Sequence, residues 1–163
     1  MAEELFNPDE LVAVLEDLAR DIRKGYGDSL RLNKHIASRG LVESISTEIE
    51  ANGTRYIVWL NLEDYWKYVE YDTKPHWPPP FVLEEWVKNK IKIGFLIPRP
   101  DDNGHIPTPK QLAYLIGRKI YDDGTTGTHD LKHTEDAILP FYEERLLEAL
   151  HKDALNFIEK VMP

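Results

Sequence analysis

Apolar residues recur at helical spacing from the start of the chain. Leu11, Val14, Leu15, Leu18 and Ile22 fall on one stripe, and the opposite face is charged, which predicts a one-sided helix over 7–24. Asn7 is placed to cap it, Pro8 sits at the first helical position, and Glu10 gives a capping-box-like spacing. Phe6 and Leu11 are spaced for a hydrophobic staple, and Gly25 and Gly27 are expected to end the helix. A short helix is compatible with 28–39. Gly40 then breaks the chain, and the period changes to two. Ile45, Thr47 and Ile49 share one face of a strand over 41–51, with Ser44, Ser46, Glu48 and Glu50 on the other. Asn52-Gly53 reads as a type I′ hairpin turn. The return strand, 54–62, is apolar on both faces, with Tyr56, Val58 and Leu60 opposite Ile57 and Trp59. Such a strand is central, covered by helices, or buried in a subunit contact.

Helical spacing returns over 63–71, where Tyr65, Trp66, Tyr68, Val69 and Tyr71 crowd two turns and Asp72 ends them. Residues 73–80 cannot be regular helix: Pro75 restricts Lys74, Pro78 restricts Trp77, and the triple proline favours polyproline II. Pro80 can open the next helix, 80–91, with Leu83, Trp86 and Val87 inward. Turn residues then fill 92–108, although Ile93, Phe95 and Ile97 alternate, and this stretch is the best candidate for a mobile arm. Thr108-Pro109 restarts a helix in cap-then-proline order, running to about Tyr121 with Leu112, Leu115, Ile116, Lys119 and Ile120 on one side. Residues 123–128 form a polar loop. A last helix is expected after Pro140, carrying Leu147, Leu150, Ala154, Phe157 and Val161 at coiled-coil spacing.

These elements predict an α+β fold in one domain, 1–163: an antiparallel sheet built on a 41–62 hairpin and packed by helices 7–24, 109–121 and 141–161. Composition agrees, with 42% hydrophobic and 30% charged residues in a chain long enough for one real core. A net charge of −9 argues against a dedicated nucleic-acid binder, which needs a basic face to displace counterions. There is no cysteine, so a disulfide framework, a thiolate zinc site and a cysteine nucleophile are all excluded. No apolar run has the length of a membrane helix, and Met1–Phe6 lacks a signal-peptide pattern. A soluble product made in the cytoplasm is therefore the expectation.

Candidate chemistry is sparse. His129 and His133 have metal-like spacing if helical, with Asp122, Asp123 and Asp130 nearby, but Gly and Thr surround them and no glutamate completes a zinc motif. Asp101-Asp102-Asn103-Gly104-His105 has calcium-loop composition without the alternate ligands or terminal glutamate, so a turn is the better reading. Gly124-Thr-Thr-Gly127 lacks P-loop spacing and its lysine. None of the serines (Ser29, Ser38, Ser44, Ser46) lies in a nucleophile elbow. The adjacent pairs Glu84-Glu85 and Glu143-Glu144 read as solvated faces. The aromatic run Tyr65, Trp66, Tyr68, Tyr71, Trp77 is a surface on which bases or sugars can stack. With only Lys67 and Lys74 between its members, core and subunit-interface anchors are the better reading.

The run Tyr65-Trp-Lys-Tyr-Val-Glu-Tyr-Asp-Thr-Lys-Pro-His-Trp-Pro-Pro79 resembles the Tyr-x-x-Tyr-Val-Glu-(Tyr/Phe)-Gly-Thr-(Lys/Arg)-Pro-His-x-Pro-Pro signature of tailed-bacteriophage tail-completion proteins, also called neck or head–tail joining proteins. The run Ala113-Tyr-Leu-Ile-Gly-Arg-Lys-Ile120 is similar to that family's Ala-Tyr-x-Ile-(Ala/Gly)-Arg-Lys-Ile helix, which leads into a Gly-Thr loop, here Gly124-Thr125. The likeness spans about 40–150 and is sharpest at 65–80. Asp72 stands where the family has glycine, and aspartate tolerates the positive φ that a glycine there suggests. The family's Pro-Phe-Leu segment is only faintly echoed in Leu139-Pro140-Phe141.

The resemblance implies a non-enzymatic virion structural protein, made in the host cytoplasm, without cofactor or metal. It would assemble as a homo-oligomeric ring. Its neighbours would be the head connector or adaptor on one side and the tail terminator or tail tube protein on the other. DNA would pass without specific binding, and no membrane is involved. The expected docking residues are Lys74, Pro75, His76, Trp77, Pro78, Pro79, Ile93, Phe95, Ile97 and Phe157, with Tyr65, Tyr68 and Trp86 holding the proline loop to the core. The alternatives are a cytoplasmic protein–protein adaptor using the same loop, and a metal-dependent hydrolase using His105, His129 and His133.

Overall fold

Asp9–Leu32 forms the first helix, α1. It is followed by α2 (Gly40–Ser44), β1 (Ser46–Asn52), β2 (Arg55–Asn61), α3 (Trp66–Glu70), α4 (Pro80–Lys92), α5 (Pro109–Asp123) and α6 (Asp130–Val161). The structure is a computed structural model, and it describes residues 7–33, 40–52 and 55–162. The class is α+β, with one antiparallel hairpin among helices. Two compact units share the chain: Met1–Tyr26, Ser46–Asn61 and Leu131–Pro163 in the first, Gly27–Ile45 and Leu62–Asp130 in the second.

α1 continues through both glycines expected to end it, Gly25 in the first unit and Gly27 in the second. The reason lies at Gly25, where a Cβ would come 2.9 Å from Thr134 Cγ2 and 3.2 Å from Ile138 Cδ1. Glycine is there to let α6 approach α1, and its helix-breaking tendency of about 1 kcal/mol is outweighed by packing. The α1 N-terminus is capped from far away. Asp153 is buried on α6, and it accepts from the Glu10 and Leu11 backbone N–H groups at 3.1 and 2.8 Å. A carboxylate there satisfies two orphan donors and complements the positive end of the helix. The expected local cap, Asn7, instead donates to the Asp9 side chain. The proposed Phe6 staple lies outside the described residues.

Leu18, Ala19, Tyr26, Tyr142 and Ala149 are buried in the first unit. Tyr142 donates its hydroxyl to Asp21 Oδ2, and Arg145 lies over the Tyr142 ring while pairing with Asp17 at 2.9 Å. Burial, reinforced by Asp21, pushes the Tyr142 hydroxyl above its ordinary pKa.

α6 begins eleven residues before the expected start at 141, and Pro140 lies inside it. Proline removes one i→i−4 hydrogen bond and crowds the carbonyl four residues back. The helix persists because Tyr142, Ala149 and Asp153 are all held on its buried side. Pro140→Ala is expected to stabilise the protein by about 2 kcal/mol, read as a higher urea midpoint at unchanged slope. A loss of stability would show instead that the helix must bend there for Tyr142 to reach its site.

The hairpin pairs Ser46 with Asn61 through to Asn52 with Arg55. Asn52 is therefore in the ladder and not in the turn as expected. Residues 53–54, between the two strands, lie outside the described residues. Residues 41–44, expected as the start of a strand, lie in the helix α2. Among the described residues the sheet has two strands, and β2 is not central in it. Trp59 on β2 is exposed and donates its indole N–H to Glu50 Oε2 at 2.8 Å.

In the second unit, α5 packs on α4, and Val87 and Ala113 are buried. The start of α5 is as expected. Thr108 accepts from the Gln111 N–H, and the Gln111 side chain reaches back to the Thr108 N–H, a complete capping box with Pro109 next. At the other end of this unit's first segment, the Ser44 hydroxyl donates to Leu41 O and accepts from Glu63 N–H, fixing where the chain enters α3.

Candidate functional site

α3 ends at Glu70, and the chain leaves in extended backbone at Tyr71. From there it is clasped to the segment after α5. Thr73 and Thr125 exchange backbone hydrogen bonds at 2.9 and 3.2 Å, and their hydroxyls meet at 2.7 Å. The Gly127 N–H donates to Asp72 Oδ1 at 2.8 Å, while Thr128 and His129 N–H groups donate to the Val69 and Glu70 carbonyls at the end of α3. A Cβ at Gly127 would meet Glu70 O at 2.3 Å, and one at Gly124 would meet Thr73 O at 2.1 Å. The Gly-Thr loop is thus a clasp built on backbone proximity. Asp72 has no positive φ; its carboxylate serves the clasp as acceptor. His129, at φ 53, is the one non-glycine positive-φ residue among the described residues, and its ring meets Tyr71 edge-on.

The clasp closes on a buried carboxylate. Asp130 is 1% exposed and accepts from Ser29 Oγ at 2.7 Å, from Asn33 Nδ2 and from Thr128 Oγ1 at 2.7 Å. The end of α1, the clasp and the start of α6 therefore meet at one side chain.

The proline loop lies on α5. Trp77 stacks obliquely on Tyr114 at 5.8 Å and edge-on to Tyr121 at 5.9 Å. Trp77, Pro78 and Leu83 all line the space a Cβ would take at Gly117. Glycine at 117 makes the saddle in which the loop sits. His76 is held by its N–H to Ile120 O and by Nδ1 to Lys74 O. Trp77 remains 44% exposed, one face packed and the other open. Of the expected anchors, Tyr68 is 65% exposed, while Tyr65 and Trp86 are about as exposed as Trp77. Trp77, expected as an offered residue, is therefore also packed, because α5 supplies two tyrosines and a glycine saddle that the local sequence around 65–80 does not reveal. Trp77→Ala is accordingly expected to cost about 2 kcal/mol of stability, measured by denaturant unfolding. A change within about 0.5 kcal/mol would mean the loop is presented without being packed.

Of the other expected docking residues, Lys74, Pro75 and Pro79 are exposed and Pro78 is half-buried. Ile93, Phe95 and Ile97 are exposed after α4, in a stretch with turns but no strand. Phe157 is half-buried on α6, in the first unit. Lys90 runs under Trp86 and Phe95, its ammonium 5.3 and 5.4 Å from the two ring centres, and burial pulls its pKa down. Its carbonyl accepts from Phe95 and Leu96 N–H, which folds the chain back after the helix.

Residues 96–107 run beside α5 and enclose an open groove of about 860 Å³. Its floor is apolar, from Leu96, Ile97, Pro98, Leu112 and Leu115, with Arg99 and Lys110 among its lining residues. Asp101 shapes the far end: its Oδ1 accepts from Asn103 and His105 N–H at 2.9 and 2.8 Å, so Asp101–His105 is a closed turn. Sequence reasoning missed the groove, since nothing local pairs 96–107 with α5.

His105 is exposed in that turn, His129 precedes α6 outside helical geometry, and His133 is exposed on α6. Among the described residues no group of three or more His, Cys, Asp or Glu is placed to hold a metal ion. No described helix is long and apolar enough to cross a membrane.

The class defined by this site is an α+β protein presenting aromatic and apolar side chains on a clasped loop–helix scaffold. Comparison with family models, curated proteins and solved structures returns no match.

Proposed function

We propose that this chain is a non-enzymatic ring-forming component of a tailed-phage neck. It would join the head connector or adaptor to the tail terminator or tail tube protein, after synthesis in the host cytoplasm. The observation that carries this reading is the run of outward apolar side chains in the second unit. Tyr121, Trp77 and Tyr114 are in ring contact, and Tyr114 continues into the groove that Leu115 and Ile97 also line. Each of these is at least 40% exposed. Monomers rarely leave so continuous an apolar surface open, and docking surfaces do. Its seat is the Pro75–Pro79 segment that carries the family resemblance, preordered by proline and by the clasp so that little entropy is lost on docking.

The acidic balance of −9 suits a channel wall that repels phosphate and does not grip passing DNA. The test is to purify particles, identify the chain in them by mass spectrometry and locate its density. A ring at the neck is the expected result. Particles that lack the chain would overturn the proposal, and a basic lumen in the ring would overturn the part concerning DNA.

A further inference from the structure

The second unit carries two different unpartnered surfaces. One is the groove, apolar along its floor, with Arg99 and Lys110 in its lining. Neither cation forms an ion pair among the described residues. Lys110 contributes to the field at Glu84, but that carboxylate is already bonded to Lys88 at 2.7 Å, which holds its pKa below the ordinary value. The other surface is the outer face of α4. Phe81 is 72% exposed, Val82 and Trp86 are also outward, and Ile93 extends the row past the helix end. Leu83 and Val87 take the inner side. Glu85 is exposed between these apolar residues and, like Arg99, has no ion-pair partner among the described residues. Positions 81, 82, 85 and 86 lie on adjacent rows of one helix face, the spacing with which a helix enters an apolar groove.

We infer that the ring contact, on the reading proposed above, seats the outer face of α4 of one copy in the groove beside α5 of the next, with Glu85 meeting Arg99. The argument for a second copy is complementarity within one compact unit. An apolar helix face with a spare carboxylate and an apolar groove with a spare guanidinium belong to the same chain and both stay open in it. Each therefore finds its partner only on another molecule. Because the two patches differ, the contact is heterologous, and a heterologous contact repeats head to tail until it closes a ring. Like charges facing each other in such a contact are costly, so Glu85 and Arg99 also set the register.

The chain has no cysteine, which makes cross-linking unambiguous. Phe81→Cys and Leu115→Cys sit at exposed positions, one on each of the two surfaces. The doubly substituted chain, treated with a short bis-maleimide both in concentrated solution and in purified particles, is expected to give a ladder of multimers through 81–115 links. Arg99→Glu should reduce this linking at least about tenfold, and Arg99→Glu combined with Glu85→Arg should restore it. Multimers without 81–115 links, or dominated by 115–115 links, would overturn this contact and leave the ring reading standing. No multimer in solution and no chain in particles would overturn both. Linking that Arg99→Glu leaves unchanged would refute the charge pairing.

Discussion

Gly124→Ala is expected to destabilise the protein by about 3–5 kcal/mol. Two costs coincide at this position. Gly124 has φ 77 and ψ −161, a region that is essentially closed to residues with a Cβ. The added Cβ would also stand 2.1 Å from the Thr73 carbonyl oxygen, which is backbone and already committed to Thr125. The chain cannot relieve one cost without opening the clasp, and opening it strands the Thr73–Thr125 pair. Gly104→Ala is the control. Gly104 also has positive φ, at 79, but nothing lies within 4 Å of its Cβ position. That variant should lose only about 1–2 kcal/mol, the conformational cost alone. Urea unfolding of both variants, with near-ultraviolet dichroism to follow the aromatic packing, separates the two costs. Equal losses would show that contact with Thr73 contributes nothing.

Asp130→Ala should cost about 3 kcal/mol. The side chain removed is small, but Ser29, Asn33 and Thr128 all donate to it, and the site is almost fully closed to water. Their donors would be left without this acceptor while remaining part-buried. Asp130 is also the first residue of α6, where a carboxylate complements the helix dipole. Asp130→Asn keeps one oxygen but presents an amide N–H₂ to one of the donors, so about half the loss is expected. Denaturant midpoints for the two variants test this. A small loss in both would mean that the clasp closes without its carboxylate.

Much of the local order is legible in the chain. The stripe Leu11–Ile22, the alternation around Ile49 and the Thr108-Pro109 restart each depend on neighbours within a few residues, and each appears close to where the pattern places it. Element ends are less legible. Asn52 reads as a turn residue and is a ladder residue, because register is set by the whole strand pair and not by the turn dipeptide. Of the candidate site, the proline rigidity of 73–80 and its importance are readable in sequence. Which of its side chains face inward is not.

Helix and strand types, the capping box, the proline loop and the acidic balance follow from residues and their immediate spacing, because backbone propensity and amphipathic period are short-range. Tertiary structure decided the rest. Gly25 reads as a stop and is a packing notch, since only the approach of Thr134 tells the two apart. Pro140 reads as a boundary and lies mid-helix, because side chains on both sides of it are held by tertiary contacts. Asp153 caps a helix that starts more than a hundred residues earlier, at sequence separations of 142 and 143. Gly124 and Gly127 read as a loose polar loop, and they are the closest backbone approaches in the protein's candidate site. In each case the deciding partner is distant in sequence. A residue's need for a missing Cβ, a buried acceptor or a remote cap is a property of what comes to lie against it.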